Sequence, residues 1–147
     1  MMKISTRSRY GLRLMLELGL QHGKGPTFLK DIARSQEISE KYLSQIIIPL
    51  KSAGLVTSFR GAHGGYSLQR PPEEITLREI VGVLEGDFVL VECAANPKAC
   101  SRSAQCVTQG VWLKVGQAIS ETLDAVTLKN LIDDYSAKSS QVHCYAI

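Results

Sequence analysis

The chain has little that would mark an enzyme or a membrane protein. It contains no window of about 18 apolar residues, the length a bilayer-spanning helix requires. The Leu-rich run Leu12 to Leu20 is interrupted by Arg13, Glu17 and Gly19 and reads as a buried helix. The opening residues lack the charged, apolar, then small-residue order of a secretory signal, so cytoplasmic residence is the expectation. Histidine is scarce: His22, His63 and His143 are scattered, and no nucleophile–base motif accompanies them. The one glycine-rich turn lies between two β-like runs, not between a strand and a helix, so it is a hairpin and not a phosphate loop. No internal repeat or low-complexity segment is present, and no enzymatic activity is expected.

What is present is an ordinary globular composition with two unequal halves. The 147 residues are 44% hydrophobic and 21% charged, enough for one core or for a small domain with an association element. Residues 1–70 hold eleven Lys/Arg against four Asp/Glu, and residues 71–147 hold six against ten. The basic first half suits a polyanion binder, although a solvated basic face without a partner would show the same balance.

Periodicity places helices at about Thr6 to His22, then Phe28 to Ser35 with Thr27 as cap, then from Ser39 to Gly54. In the third, Leu43, Ile46, Ile47 and Leu50 share one face, and Pro49 predicts a bend, not a break. Leu55–Phe59 and Tyr66–Leu68 are β-like runs around Arg60-Gly61-Ala62-His63-Gly64-Gly65, a hairpin with a glycine-rich tip. Thr76 and Glu79 form a capping box before Leu77, Ile80, Val81 and Leu84. A long helix follows at about Val107 to Ala125, then a last helix capped by Thr127, with a polar, frayed remainder from Ser136 to Ile147. The expected fold is mainly α with a small β-hairpin: a winged helix-turn-helix over 1–85, a cysteine-containing loop over 86–106, a dimerisation helix and final helix over 107–138, and a flexible tail over 139–147.

Helix, tight turn, helix, then hairpin is the winged helix-turn-helix order, and its side chains suit duplex DNA. The helix from Ser39 offers Lys41, Tyr42, Ser44 and Gln45 near its start, where such a helix meets base edges. Gln45 can contact adenine through two bonds, and Ser44 can contact several bases. Arg60 at the wing base can enter a narrow minor groove. Gly61, Gly64 and Gly65 let backbone approach phosphates, and Arg7, Arg9 and Tyr10 can hold phosphates on the flank. Use of the winged helix as a protein–protein module is the alternative.

Of four cysteines, Cys93, Cys100 and Cys106 fall in one short stretch. In a reducing compartment such thiols are metal ligands or redox groups before they are structural disulfides. Their spacing is wider than the two-residue knuckle of structural zinc sites, which tilts the reading toward an iron–sulfur cluster. Zinc, and a peroxide switch closing Cys93 onto Cys106, remain open. Cys144 reads as an accessory thiol.

These pieces resemble the IscR-type transcriptional regulators. The resemblance rests on the opening Ile4 to Tyr10, on Ile38 to Gln45, on Gly54 to Tyr66 with its Arg-Gly-x-x-Gly-Gly-Tyr wing, and on the cysteine triplet followed by Trp112. It covers about residues 2–135. It implies a homodimer joined through the long helix, a major-groove reading helix at Ser39–Ala53, Arg60 in the minor groove, and Cys93, Cys100 and Cys106 as cluster thiolates. A 2Fe–2S cluster is the expected form and 4Fe–4S the other. It further implies repression of a near-palindromic promoter site in response to iron–sulfur, redox or nitric oxide status. A thiol-switch or metal-free regulator acting through a partner protein is the competing reading. The chain departs from the pattern in three places. Gln109 stands where these regulators carry a ligating histidine, and Arg9 where nitric-oxide-sensing relatives carry a ligating aspartate. The fourth ligand is therefore unassigned among His143, Cys144, Glu85, Glu92, a water or a small thiol. Ser44 replaces a glutamate of the reading helix that couples cluster state to site preference.

Overall fold

The computed structural model describes residue 1 and residues 3–144, with side chains described through Val142. Seven helices and one hairpin follow each other among them: α1 (Thr6–Leu20), α2 (Leu29–Gln36), α3 (Glu40–Ser52), β1 (Val56–Phe59), β2 (Gly65–Leu68), α4 (Leu77–Glu85), α5 (Glu92–Ala95), α6 (Gln109–Asp124) and α7 (Leu128–Cys144). This is the mainly helical winged fold expected from the sequence.

The core forms where α1, α3 and α4 meet. Leu14, Met15 and Leu18 of α1 face Leu43, Ile46 and Leu50 of α3 and Ile80 of α4, and all are fully buried or within 1% of it. Each such side chain contributes about 1.5–3 kcal/mol by leaving water. Helices α1 and α4 touch at Gly11, where a Cβ would lie 2.1 Å from Leu84 Cδ1. A side chain at position 11 would require Leu84 to move. Pro49 lies inside α3 without interrupting it, because the helix runs from Glu40 to Ser52.

Capping fixes most helix starts. Ser5 caps α1 by accepting from the Ser8 N–H, and Ser39 caps α3 by accepting from the Tyr42 N–H, both at 3.3 Å. The predicted box at α4 is complete: Thr76 Oγ1 accepts from the Glu79 N–H and Glu79 returns a bond to the Thr76 N–H. Thr127 caps α7 through the Asn130 N–H.

Thr27 does not cap α2. The N-cap is Phe28, without a side-chain bond. Thr27 instead exchanges backbone bonds with Tyr66 (2.9 and 2.8 Å) and acts as a third strand residue beside the wing. The wing itself pairs Val56 with Leu68 and Phe59 with Gly65 in antiparallel register.

The C-terminal end departs from the expected domain division. The last helix continues past Ser136 to Cys144 and does not fray there. Its first turn returns to the winged core: Leu128 is fully buried, and the Leu77 N–H and Leu128 N–H bond to the Val126 and Ile75 carbonyls. The expectation of a tail over 139–147 is thus met by helix as far as Cys144, while residues 145–147 lie outside the described residues.

Candidate nucleic-acid interface and cysteine segment

The start of α3, the start of α2 and the wing enclose one groove of about 500 Å³, lined among others by Lys30, Glu40, Ser44, Phe59, Arg60 and Tyr66. Ser44 and Arg60 are exposed in this groove, and Lys41 and Gln45 of α3 are exposed as well, as are Arg7 and Arg9 on the first turn of α1. Lys30 was not singled out from the sequence. Its ammonium lies 5.2 Å from the Phe28 ring centroid, and the available signal was a lysine in the first turn of the shorter helix.

Several predicted contact residues have structural work of their own. Ser39 uses its hydroxyl oxygen as the α3 cap. The Ser44 hydroxyl donates to the Glu40 carbonyl at 2.9 Å, which leaves it only as an acceptor toward a base. Tyr10 and Tyr42 meet edge to face with centroids 5.8 Å apart, and the Tyr42 hydroxyl donates to Thr6 Oγ1 at 3.3 Å. These two tyrosines join α1 to α3, and the Tyr42 hydroxyl proton is directed to Thr6. Arg9 and Arg13 approach the Tyr10 ring at 6.0 and 5.5 Å from its centroid.

The wing glycines divide in the same way. A Cβ at Gly64 would lie 2.5 Å from the Phe59 carbonyl oxygen, and one at Gly65 would lie 2.5 Å from that of Thr27. Both are glycine because protein backbone already occupies the space, so the phosphate-approach argument does not apply to them. Gly61 has open space around its missing Cβ and keeps a φ of +96° that favours glycine.

The cysteine segment is a series of short helical turns, not an open loop. Cys93 lies in α5, Cys100 follows a 3₁₀ turn over Pro97–Ala99, and Cys106 follows another over Ser103–Gln105. Asn96 caps the first of these turns by accepting from the Lys98 N–H at 3.1 Å. All three thiols are free and half-buried. Cys106 Sγ lies 3.2 Å from Thr108 Oγ1, and that hydroxyl holds the thiol below its ordinary range. Gln109, at the position of the expected histidine, donates from Nε2 to the Cys93 carbonyl. It ties the segment to α6 through an amide that is a poor iron ligand.

The donor set suits an iron–sulfur cluster in kind, since three soft thiols lie on one short segment. The structure does not gather them: among the described residues no three His, Cys, Asp or Glu side chains stand close enough to hold a metal. The segment must therefore rearrange before three thiolates share one centre. Of the fourth-ligand candidates, the Glu85 carboxylate is already engaged by Ser5, and the side chains of His143 and Cys144 lie outside the described residues.

The beginning of this segment rests on α6. A Cβ at Gly116 would lie 2.4 Å from the Phe88 carbonyl oxygen. Gly116 is the buried residue of α6, while Val111, Trp112 and Leu113 are 52%, 44% and 49% exposed. Among the described residues, nothing fully covers these apolar side chains at the start of α6. No helix among the described residues is long and apolar enough to cross a membrane.

Known proteins resemble this chain in sequence and in fold. A family model described as "Rrf2: Iron-dependent Transcriptional regulator" matches residues 4–134. The chain is 45% identical over 130 residues to the HTH-type transcriptional regulator CymR of Bacillus subtilis, covering 88% of this chain and 89% of that one. The solved structure of CymR, titled the global cysteine regulator of B. subtilis, is similar with a TM-score of 0.75 at 44% identity, over 90% of this chain and 98% of that chain. The structure of T. potens IscR is similar with the same TM-score, 0.75, at 41% identity, over 91% and 88%. The winged helix, the basic reading face and these likenesses agree: the chain belongs to the Rrf2 family of DNA-binding transcriptional regulators, which are not enzymes.

Proposed function

We propose that this chain is an iron–sulfur-dependent regulator of the IscR kind, a homodimer that represses at a near-palindromic promoter site and responds to iron–sulfur, redox or nitric oxide status. The observation that carries this reading is the confinement of three free, half-buried thiols to one segment between α4 and α6. Cys93, Cys100 and Cys106 would hold the cluster. When bound, it supplies a centre sensitive to oxidation and to small ligands. A 2Fe–2S form suits a donor set with one exchangeable position, and 4Fe–4S is the other option.

The protein's own residues supply the rest. Two α3 helices enter successive major grooves. Gln45 reads adenine, in a contact worth about 1–3 kcal/mol of discrimination. Arg60 enters the minor groove, and Lys41, Arg7 and Arg9 neutralise phosphates. The exposed apolar face of α6 supports pairing with a second copy. Ordering of the cysteine segment against α6 would set the spacing of the two reading heads.

An anaerobic absorption spectrum with iron and sulfide analysis tests the reading. Visible bands with about two irons per chain, the content of a 2Fe–2S centre, and their loss in Cys93→Ala, are expected. A protein that stays colourless after anaerobic reconstitution would overturn it.

A second reading has its own support. The Thr108-assisted Cys106 thiol favours a thiol switch, in the manner of a metal-free regulator acting through a partner protein. The likeness to a protein titled a global cysteine regulator points the same way. Peroxide-dependent loss of free thiols in a colourless protein, with a matching change in DNA affinity, would select it.

A further inference from the structure

The last residue of α4 is bonded to the first residues of α1. Glu85 Oε1 accepts from the Ser5 N–H at 3.0 Å and from the Ser5 hydroxyl at 2.5 Å. Ser5 is at the same time the N-cap of α1, accepting from the Ser8 N–H. The next residue, Thr6, receives the Tyr42 hydroxyl from α3. A continuous line of bonds thus runs from the end of α4 through the α1 cap to the reading helix.

The other end of this line is the exit to the cysteine segment. Gly86 follows Glu85 directly, with φ +90° and ψ −158°, a conformation that glycine alone adopts without strain. Two residues later the Phe88 carbonyl sits against Gly116 of α6. Glu85 therefore stands between a pinned contact on α6 and a pinned contact on α1, with only Gly86 and Asp87 between the pins. A displacement of α6 or of the cysteine segment has almost no chain in which to dissipate. Arg7 lies near enough to act on the Glu85 carboxylate as well, although the Ser5 hydroxyl is the main cause of its lowered pKa.

We infer that Glu85 is a positioning residue through which the state of the cysteine segment reaches the DNA-reading helices, by holding or releasing the Ser5 cap of α1. The inference rests on the reading of the cysteine segment as the sensing part. It does not require that the sensed group be a cluster.

The test uses the full reduced chain carrying Cys144→Ser, so that N-ethylmaleimide reacts with Cys93, Cys100 and Cys106 alone. Amide hydrogen exchange is followed at Ser8 and Arg9 of α1 and at Tyr42 and Leu43 of α3. Alkylation is expected to speed exchange at Ser8 and Arg9 by about five-fold, the loss of one N-cap, and to speed it at Tyr42 and Leu43 by a smaller factor, through the Thr6 bond alone. In Glu85→Ala and in Ser5→Ala the baseline exchange is already fast, and alkylation changes it no further. A merely structural role would raise the baseline in both variants yet leave the alkylation ratio as in the parent. That result, or an unmodified parent that fails to respond to alkylation, overturns the inference. Ser5→Ala touches no core residue and carries the comparison alone if Glu85→Ala does not fold. A colourless protein would remove the cluster reading and leave this comparison intact.

Discussion

The Tyr42 hydroxyl donates to Thr6 Oγ1 at 3.3 Å, which ties the reading helix to the first turn of α1. Removing that hydroxyl in Tyr42→Phe keeps the edge-to-face contact with Tyr10 and loses only the bond. A neutral bond at an exposed site is worth about 0.5–1.5 kcal/mol, so the melting temperature is expected to stay within a few degrees. Duplex affinity, read by fluorescence anisotropy at fixed salt, is expected to fall a few-fold. Unchanged affinity would show that this link does not position α3.

Arg60 and Lys41 are both exposed but should fail differently. Lys41→Ala is expected to weaken binding to all sequences alike and to reduce the salt slope by about one. Arg60→Ala should lose most on sites with narrow, A·T-rich minor grooves. Equal losses on A·T-rich and G·C-rich duplexes would remove Arg60 from the minor groove.

Gly65 combines φ +122° with a Cβ position 2.5 Å from the Thr27 carbonyl oxygen, whereas Gly61 has open space. Gly65→Ala must therefore push the wing away from Thr27 and break its paired bonds, at a cost of about 2–3 kcal/mol. Gly61→Ala bears backbone strain alone, about 1 kcal/mol. Urea midpoints of the two variants give the order, and a larger loss at Gly61 would contradict the packing argument.

The Cys106 thiol is held below its ordinary range chiefly by the Thr108 hydroxyl. A lowered pKa means that thiolate persists to lower pH, so Cys106 should react with iodoacetamide at pH values where an ordinary thiol is protonated. Thr108→Val is expected to move the midpoint of the rate–pH profile upward. A profile that does not move would assign the reactivity to the neighbouring backbone bonds instead.

Gln109→His places an imidazole at the first residue of α6 and removes the amide bond to the Cys93 carbonyl. If three cysteines hold a cluster, the variant should retain its visible absorbance longer in air than the parent. Faster bleaching would mean that the amide tie to Cys93 matters more than a fourth ligand.

The sequence by itself determined the elements that local chemistry dictates. The Ser39 cap, the Thr76–Glu79 box, the apolar face of α3 and the glycine-rich wing each appear where spacing and side-chain type place them. The basic first half and the cysteine triplet were legible for the same reason, since charge and thiol content need no fold to be counted. The tertiary structure decided which of these residues are still available for function. Thr27 lost its cap to a strand pairing with Tyr66, and Gly64 and Gly65 proved to be filled by neighbouring backbone. Tyr10, read as a flanking phosphate contact, and Tyr42, read as a reading-helix contact, also form the join between α1 and α3. Glu85, one open choice among several ligands in the sequence, is held by Ser5, eighty positions away. Such pairings depend on how helices cross, and a crossing is set by close approaches such as Gly11 to Leu84 that no local pattern encodes.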